Sequence, residues 1–179
     1  MRKVLLRTGV ALFVALSFAF PAQLLAAEAQ TAPLLSAEGQ PASGPGCAYR
    51  LEHLPGSMRE ARIASITCFN SLADSLNYVA ASPMSSYVLG IDWDYPNRGA
   101  GDYKIWYASG PCTSSVSWAV SYVGAAWDNR TASAEGDSNC NHFHHYENPN
   151  YGGAQYDCNS YCATMGVMTD QTSSESWDP

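Results

Sequence analysis

Basic side chains are scarce in this chain: nine Lys and Arg stand against sixteen Asp and Glu. Without Arg2, Lys3, Arg7 and Glu28, which fall in the first 29 residues, six remain against fifteen. The net charge is then −9 with His neutral. A surface of that sign excludes nucleic acid and anionic membranes as partners. Long apolar runs are missing beyond Phe20, so no membrane span is expected in the mature chain. No Gly-x-Ser-x-Gly elbow or other catalytic pattern supports Ser/His/Asp chemistry. The cysteines are expected to be oxidised, which removes the thiolate nucleophile. No catalytic residue is therefore assigned, and the chain reads as a non-enzyme.

What is present first speaks to compartment. Arg2, Lys3 and Arg7 precede an apolar run from Val10 to Phe20, broken by Pro21, and Ala27-Glu28-Ala29 fits the A-x-A cleavage pattern. Residues 1–29 read as a secretory signal peptide, and the mature protein as secreted and extracellular. Six cysteines, an even number, suit that oxidising milieu. Fifteen connectivities are open; pairing by neighbourhood would join Cys47 with Cys68, Cys112 with Cys140 and Cys158 with Cys162. A zinc reading of Cys158 and Cys162 lacks a second Cys/His pair at finger spacing.

Residues 30–46, rich in Ala, Pro, Gly and Ser, read as a flexible leader. Residues 47–84 read as a strand-helix segment. Arg62 to Phe69 alternates as a short strand, Asn70 or Ser71 can cap a helix, and Leu72, Leu76 and Val79 share one helix face before Pro83. Residues 85–179 read as β. Tyr87–Trp93, Tyr103–Tyr107 and Val116–Val120 are strands broken by Gly, Pro, Asn and Asp, the pattern of a sandwich or barrel. Eleven Tyr and five Trp suit a core built from aromatics.

This C-terminal part contains an internal repeat of about 50 residues. One copy opens with Trp93-Asp94-Tyr95-Pro96-Asn97-Arg98-Gly99-Ala100-Gly101 and continues to Trp127-Asp128-Asn129-Arg130-Thr131-Ala132-Ser133. The other opens with Tyr146-Glu147-Asn148-Pro149-Asn150-Tyr151-Gly152-Gly153 and continues to Met168-Thr169-Asp170-Gln171-Thr172-Ser173-Ser174. In each, an aromatic-acid pair leads into a hairpin turn closed by glycine, which leaves room for the aromatic to fold back as a lid. In each, an Asp/Asn-rich loop ending in serine presents the hard oxygens that Ca²⁺ prefers.

The hairpin Y-E-N-P-N-Y-G-G is similar to the Y-E-x-x-x-F-x-G element of βγ-crystallin domains. The loops D-N-R-T-A-S and T-D-Q-T-S-S resemble that family's calcium-binding pattern. The likeness runs from about Tyr87 to Trp177. More narrowly, the whole chain resembles actinobacterial-type exoproteins with a short Cys-containing region before such a domain. The resemblance implies a mainly β fold, a Greek-key β-sandwich of two motifs. It implies Ca²⁺, bound weakly, with Asp128, Asn129 and Ser133 and with Thr169, Asp170 and Ser173 as ligands, and Glu147 on the second hairpin. Four departures limit this: Ala132 stands where a hydroxyl is expected, Thr169 where Asn or Asp is, Arg98 where an aromatic is, and Gly101 comes late.

Four further readings stay open. His142 and His144 share a strand face that could take Zn²⁺ or Cu²⁺, with His145 on the other. Trp106, Tyr107, Trp118, Tyr122 and Trp127 either fill the sandwich or stack on sugars or a protein. Some secreted inhibitors of metallopeptidases resemble crystallin domains, so an extracellular peptidase is a possible partner, met by an exposed loop at Asp94–Asp102 or Gly110–Ser117. Some crystallin-like exoproteins are toxins acting on competing cells. The protein is expected to be a monomer.

Overall fold

The structure, a computed structural model, describes residues 44–82 and 86–179. The expected signal peptide, the leader up to residue 43, and Pro83 lie outside them. The described chain runs β1 (Gly46–His53), β2 (Glu60–Phe69), α1 (Leu72–Ala80), β3 (Tyr87–Trp93) and β4 (Tyr103–Ala108). It continues with β5 (Trp118–Val120), β6 (Ser133–Gly136), β7 (His142–Asn148), β8 (Gly152–Asn159), β9 (Tyr161–Cys162) and β10 (Ser174–Asp178). Among these residues no helix is long and apolar enough to cross a membrane.

The strand order is β8-β7-β10-β5-β2-β1-β4-β3-β6-β9. Its two ends are the two Greek keys. β4-β3-β6 belongs to the first repeat and receives β9 from the second; β8-β7-β10 belongs to the second and receives β5 from the first. Each key therefore completes its sheet with a strand of the other, which makes them one folding unit. The fold is mainly β, as the alternation and the repeat lead one to expect.

β1 is a strand that the sequence reading leaves out. It forms an antiparallel hairpin with β2, then runs parallel to β4, while the start of β2 runs parallel to β5. The hairpin thus bridges the two keys along one edge. The leader also ends earlier than its composition suggests: Gly44 lies so close to Gly101 that a Cβ would fall 2.3 Å from the Gly101 carbonyl oxygen. Ser71 caps α1, its hydroxyl accepting from the Asp74 amide. The helix buries Ser75 and Val79, with Leu72 and Leu76 half-buried on the same side.

That helix explains why β4 is buried throughout. Tyr103 and Tyr107 point toward α1, where the Tyr103 hydroxyl meets Ser75 Oγ at 2.7 Å and Tyr107 meets the Tyr78 ring edge-on. Lys104 and Trp106 point the other way, into the space between the keys, where Trp106 packs edge-on against Trp177. All five tryptophans are buried, so Trp106, Trp118 and Trp127 fill the core and offer no stacking surface; of the aromatics weighed for binding, only Tyr122 is exposed. Gly90 lets the keys approach: a Cβ there would fall 3.0 Å from Trp177 Nε1 and 2.8 Å from the Glu135 carbonyl oxygen.

The disulfides join Cys47 to Cys68, Cys112 to Cys140 and Cys158 to Cys162. Cys47–Cys68 ties facing positions of the β1–β2 hairpin. Cys158–Cys162 joins β8 to β9, the strands at the two ends of the strand order. Cys112–Cys140 closes the longest loop and, in the chain-entropy view, contributes about 3.5 kcal/mol.

The two repeats match in turn conformation and in the serine that ties loop to hairpin. Asn97 and Arg98 in the first hairpin and Asn150 and Tyr151 in the second take positive φ, as do Asn129 and Asp170 in the two loops. Ser133 Oγ donates to the Tyr95 carbonyl at 2.7 Å and accepts from the Arg98 amide at 3.1 Å. Ser174 Oγ does the same with the Asn148 carbonyl and the Tyr151 amide, at 2.7 and 2.9 Å. Each loop's final serine thus clamps its own hairpin. Ser133→Ala and Ser174→Ala strand the same two backbone groups and should each cost about 1–3 kcal/mol. Urea denaturation checks this; a loss below half a kilocalorie at either site would show that the clamp is not formed there.

Candidate functional site

Two clusters bring chemistry-bearing residues together. The first is the corner where the two Asp/Asn loops meet. The Asn129 amide donates to the Thr172 carbonyl and the Asp170 amide to the Thr131 carbonyl, both at 3.0 Å, so a pseudo-twofold axis passes between the loops. Around it, Ser173 Oγ donates to Asp128 Oδ1 at 2.6 Å. One carboxylate and one hydroxyl from different repeats are therefore adjacent. The symmetry-related corner pairs Thr169 with Ala132, which has no oxygen in its side chain. Thr169 Oγ1 lies 3.4 Å from Thr164 Oγ1 instead.

The remaining expected ligands have other partners. Ser133 is consumed by its hairpin clamp. Glu147 Oε2 accepts from the Ala154 amide at 3.0 Å and closes its own turn. Asn129 and Asp170 act through their backbones and are exposed. The residues present fit a hard cation at the Asp128–Ser173 corner and do not fit one at its twin.

The departures in the first hairpin are compensated locally. The Arg98 guanidinium stands where an aromatic was expected, stacks 4.2 Å from the Tyr161 ring centre and pairs with Glu135. Gly101, late by sequence, sits beneath the folded-back Tyr95, where a Cβ would fall 2.3 Å from the ring. At Gly153 the neighbours are the Asn148 and Glu147 side chains, not the aromatic lid. Arg130 Nη2 reaches both Asp94 Oδ2 and Asp102 Oδ2 at 2.8 Å, closing the first hairpin at its base. Burial raises the Asp94 pKa against that cation.

The second cluster lies in the core, and only its geometry reveals it. Asp92 on β3, Lys104 on β4, His145 on β7 and Glu175 on β10 are all buried. Lys104 Nζ lies 3.0 Å from Asp92 Oδ2 and 2.9 Å from Glu175 Oε1. Trp106 Nε1 donates to Asp92 Oδ2 at 2.8 Å, and His145 Nε2 lies 3.3 Å from Asp92 Oδ1. Burial alone would raise the Asp92 pKa, but the adjacent ammonium and the His145 hydrogen bond outweigh it and hold the carboxyl below its ordinary value. Burial, helped by the Asp92 charge and opposed by Lys104, pushes Glu175 up to about 7. Burial also acts against the Lys104 charge, yet the two carboxylates raise its pKa. Ligand atoms of Asp92, His145 and Glu175 lie within 4.8 Å of one another, but the Lys104 ammonium already supplies the cation between the carboxylates.

The histidines alternate as expected: His142 is exposed, His144 half-buried and His145 buried. The first two are engaged separately across the β7–β8 ladder. His142 Nδ1 lies 2.7 Å from Asn159 Oδ1 and His144 Nδ1 lies 2.7 Å from Asp157 Oδ1.

No protein-family model and no curated protein matches the sequence. A crystal structure of a βγ-crystallin from an archaeon is similar over 49% of this chain and 94% of its own length, at 18% identity and a TM-score of 0.34.

Proposed function

We propose that this is a secreted, non-enzymatic, disulfide-stabilised protein of βγ-crystallin type that binds one Ca²⁺ weakly where its two repeats meet. The observation that carries the reading is the 2.6 Å contact between Asp128 and Ser173, which brings a carboxylate and a hydroxyl from opposite loops to one point. These two side chains would hold the ion. When bound, it supplies a positive charge that ties the loops together. A single carboxylate in so sparse a ligand set suits the millimolar affinities of extracellular modules. Secretion is supported by the signal-like first 29 residues and by the three disulfides. A non-enzymatic role is supported by the burial of the densest titratable cluster, at Asp92, Lys104, His145 and Glu175, beyond the reach of a substrate.

At ten times its dissociation constant, one bound ion stabilises the fold by about 1.4 kcal/mol. The melting midpoint of the oxidised protein should therefore rise by a few degrees in millimolar Ca²⁺. Asp128→Ala and Ser173→Ala should abolish the rise and Thr169→Ala should leave it. An unmoved midpoint in the parent protein, or equal loss in all three variants, contradicts a single site at this corner.

The first hairpin supports a second reading, a peptidase inhibitor. Arg130 fixes both ends of the Asp94–Asp102 loop, and Tyr95 within it is 55% exposed. A rigid, exposed loop is the form such inhibitors present. Turnover by a panel of extracellular proteases should fall at stoichiometric protein and recover with Tyr95→Ala. Full turnover across the panel at excess removes this role for those enzymes.

A further inference from the structure

The core cluster holds one amine-bearing side chain and two carboxyl groups within hydrogen-bond distance, in a pocket closed to water. Lys104 Nζ is 2.9 Å from Glu175 Oε1 and 3.0 Å from Asp92 Oδ2, with the three side chains between 0% and 4% exposed. The ammonium is also held 4.3 Å from the Trp106 ring centre and 5.1 Å from that of Trp127. The two carboxylates are not equivalent. Both oxygens of Asp92 are engaged, Oδ2 by Trp106 and Lys104 and Oδ1 by His145. Glu175 uses only Oε1; its Oε2 is buried and has no hydrogen-bond partner among the described residues. An unpartnered buried oxygen is costly as part of an anion and less so as the carbonyl oxygen of a neutral acid.

We propose that Lys104 and Glu175 condense into an intramolecular isopeptide bond, with Asp92 as the base. A proton first passes from Lys104 Nζ to Glu175, turning an ammonium and a carboxylate into an amine and an acid. Nζ then attacks Cδ of Glu175 and forms the C–N bond. Asp92 takes the surplus proton from Nζ and returns it to the hydroxyl on Oε1, the oxygen that Nζ contacts. The Cδ–Oε1 bond breaks and one water leaves, with Oε2 remaining as the amide oxygen. Asp92 ends as the carboxylate it began as. The reaction needs no oxidant, reductant or co-reactant.

The consequence is mechanical. Lys104 lies on β4 of one key and Glu175 on β10 of the other, so the amide would staple the two keys through the core. Unlike the three disulfides, it would persist under reducing conditions.

Intact mass spectrometry of the secreted protein, denatured with its cysteines reduced and alkylated, tests the proposal. The expected mass is that of the processed sequence with six alkylated cysteines, less one water. A tryptic digest should contain a branched peptide joining the Lys104 and Glu175 segments, and Lys104→Arg should restore the full mass. A parent protein at full sequence mass overturns the proposal. So does a water loss that survives in Lys104→Arg, or a branch that maps to Asp92 instead of Glu175.

Discussion

The exchange of β5 and β9 between the two repeats is the constraint on which the rest of the structure depends. A three-stranded key alone leaves an open edge and an uncovered apolar face. Here each key closes its edge with a strand of the other, and the two faces bury Trp106, Trp118, Trp127 and Trp177 between them. The loops that carry this exchange are also those that cross-bond at Asn129–Thr172 and Asp170–Thr131. Topology and candidate calcium corner are therefore two aspects of one arrangement: the oxygens of Asp128 and Ser173 meet because the strands have traded places.

Symmetry makes two corners, and sequence divergence leaves only one with the chemistry for a cation. Ala132 and Thr169 remove the second pair of ligands without disturbing the backbone, because the fold needs from these loops a positive φ and a clamping serine, both of which remain. Structural requirements and candidate ligand oxygens thus fall on neighbouring positions of the same six residues. The first hairpin shows the same separation: Arg98 replaces an aromatic by a planar cation stacked on Tyr161, and the turn keeps its shape.

Much of this arrangement was legible in the sequence, and the reasons for the exceptions are physical. The repeat was visible because its turn residues, Asn-Arg and Asn-Tyr at positive φ, recur at fixed offsets from the aromatic-acid pairs. Helix α1 was visible through Ser71 and the spacing of Leu72, Leu76 and Val79. β1 was hidden because its burial does not alternate: it lies between β2 and β4, and Ala48 and Tyr49 are buried in succession. The Val116–Val120 strand is shorter than expected because Val116 turns back on Thr113, leaving only Trp118–Val120 paired with β10 and β2. The core ionic cluster escaped notice because a charged residue on a strand normally signals solvent. The available clue was the alternation Lys104–Trp106, which puts an ammonium on the same face as a core tryptophan, and the parallel placement of Glu175 before Trp177.

Native-state amide hydrogen exchange at the two loops tests the central claim most directly. If the repeats are locked about a pseudo-twofold axis, the Asn129 and Asp170 amides exchange only through global opening, at the same free energy as the β3 and β7 amides. Exchange of either amide at the rate of an open surface loop, while its counterpart stays protected, would contradict the locked pair of keys.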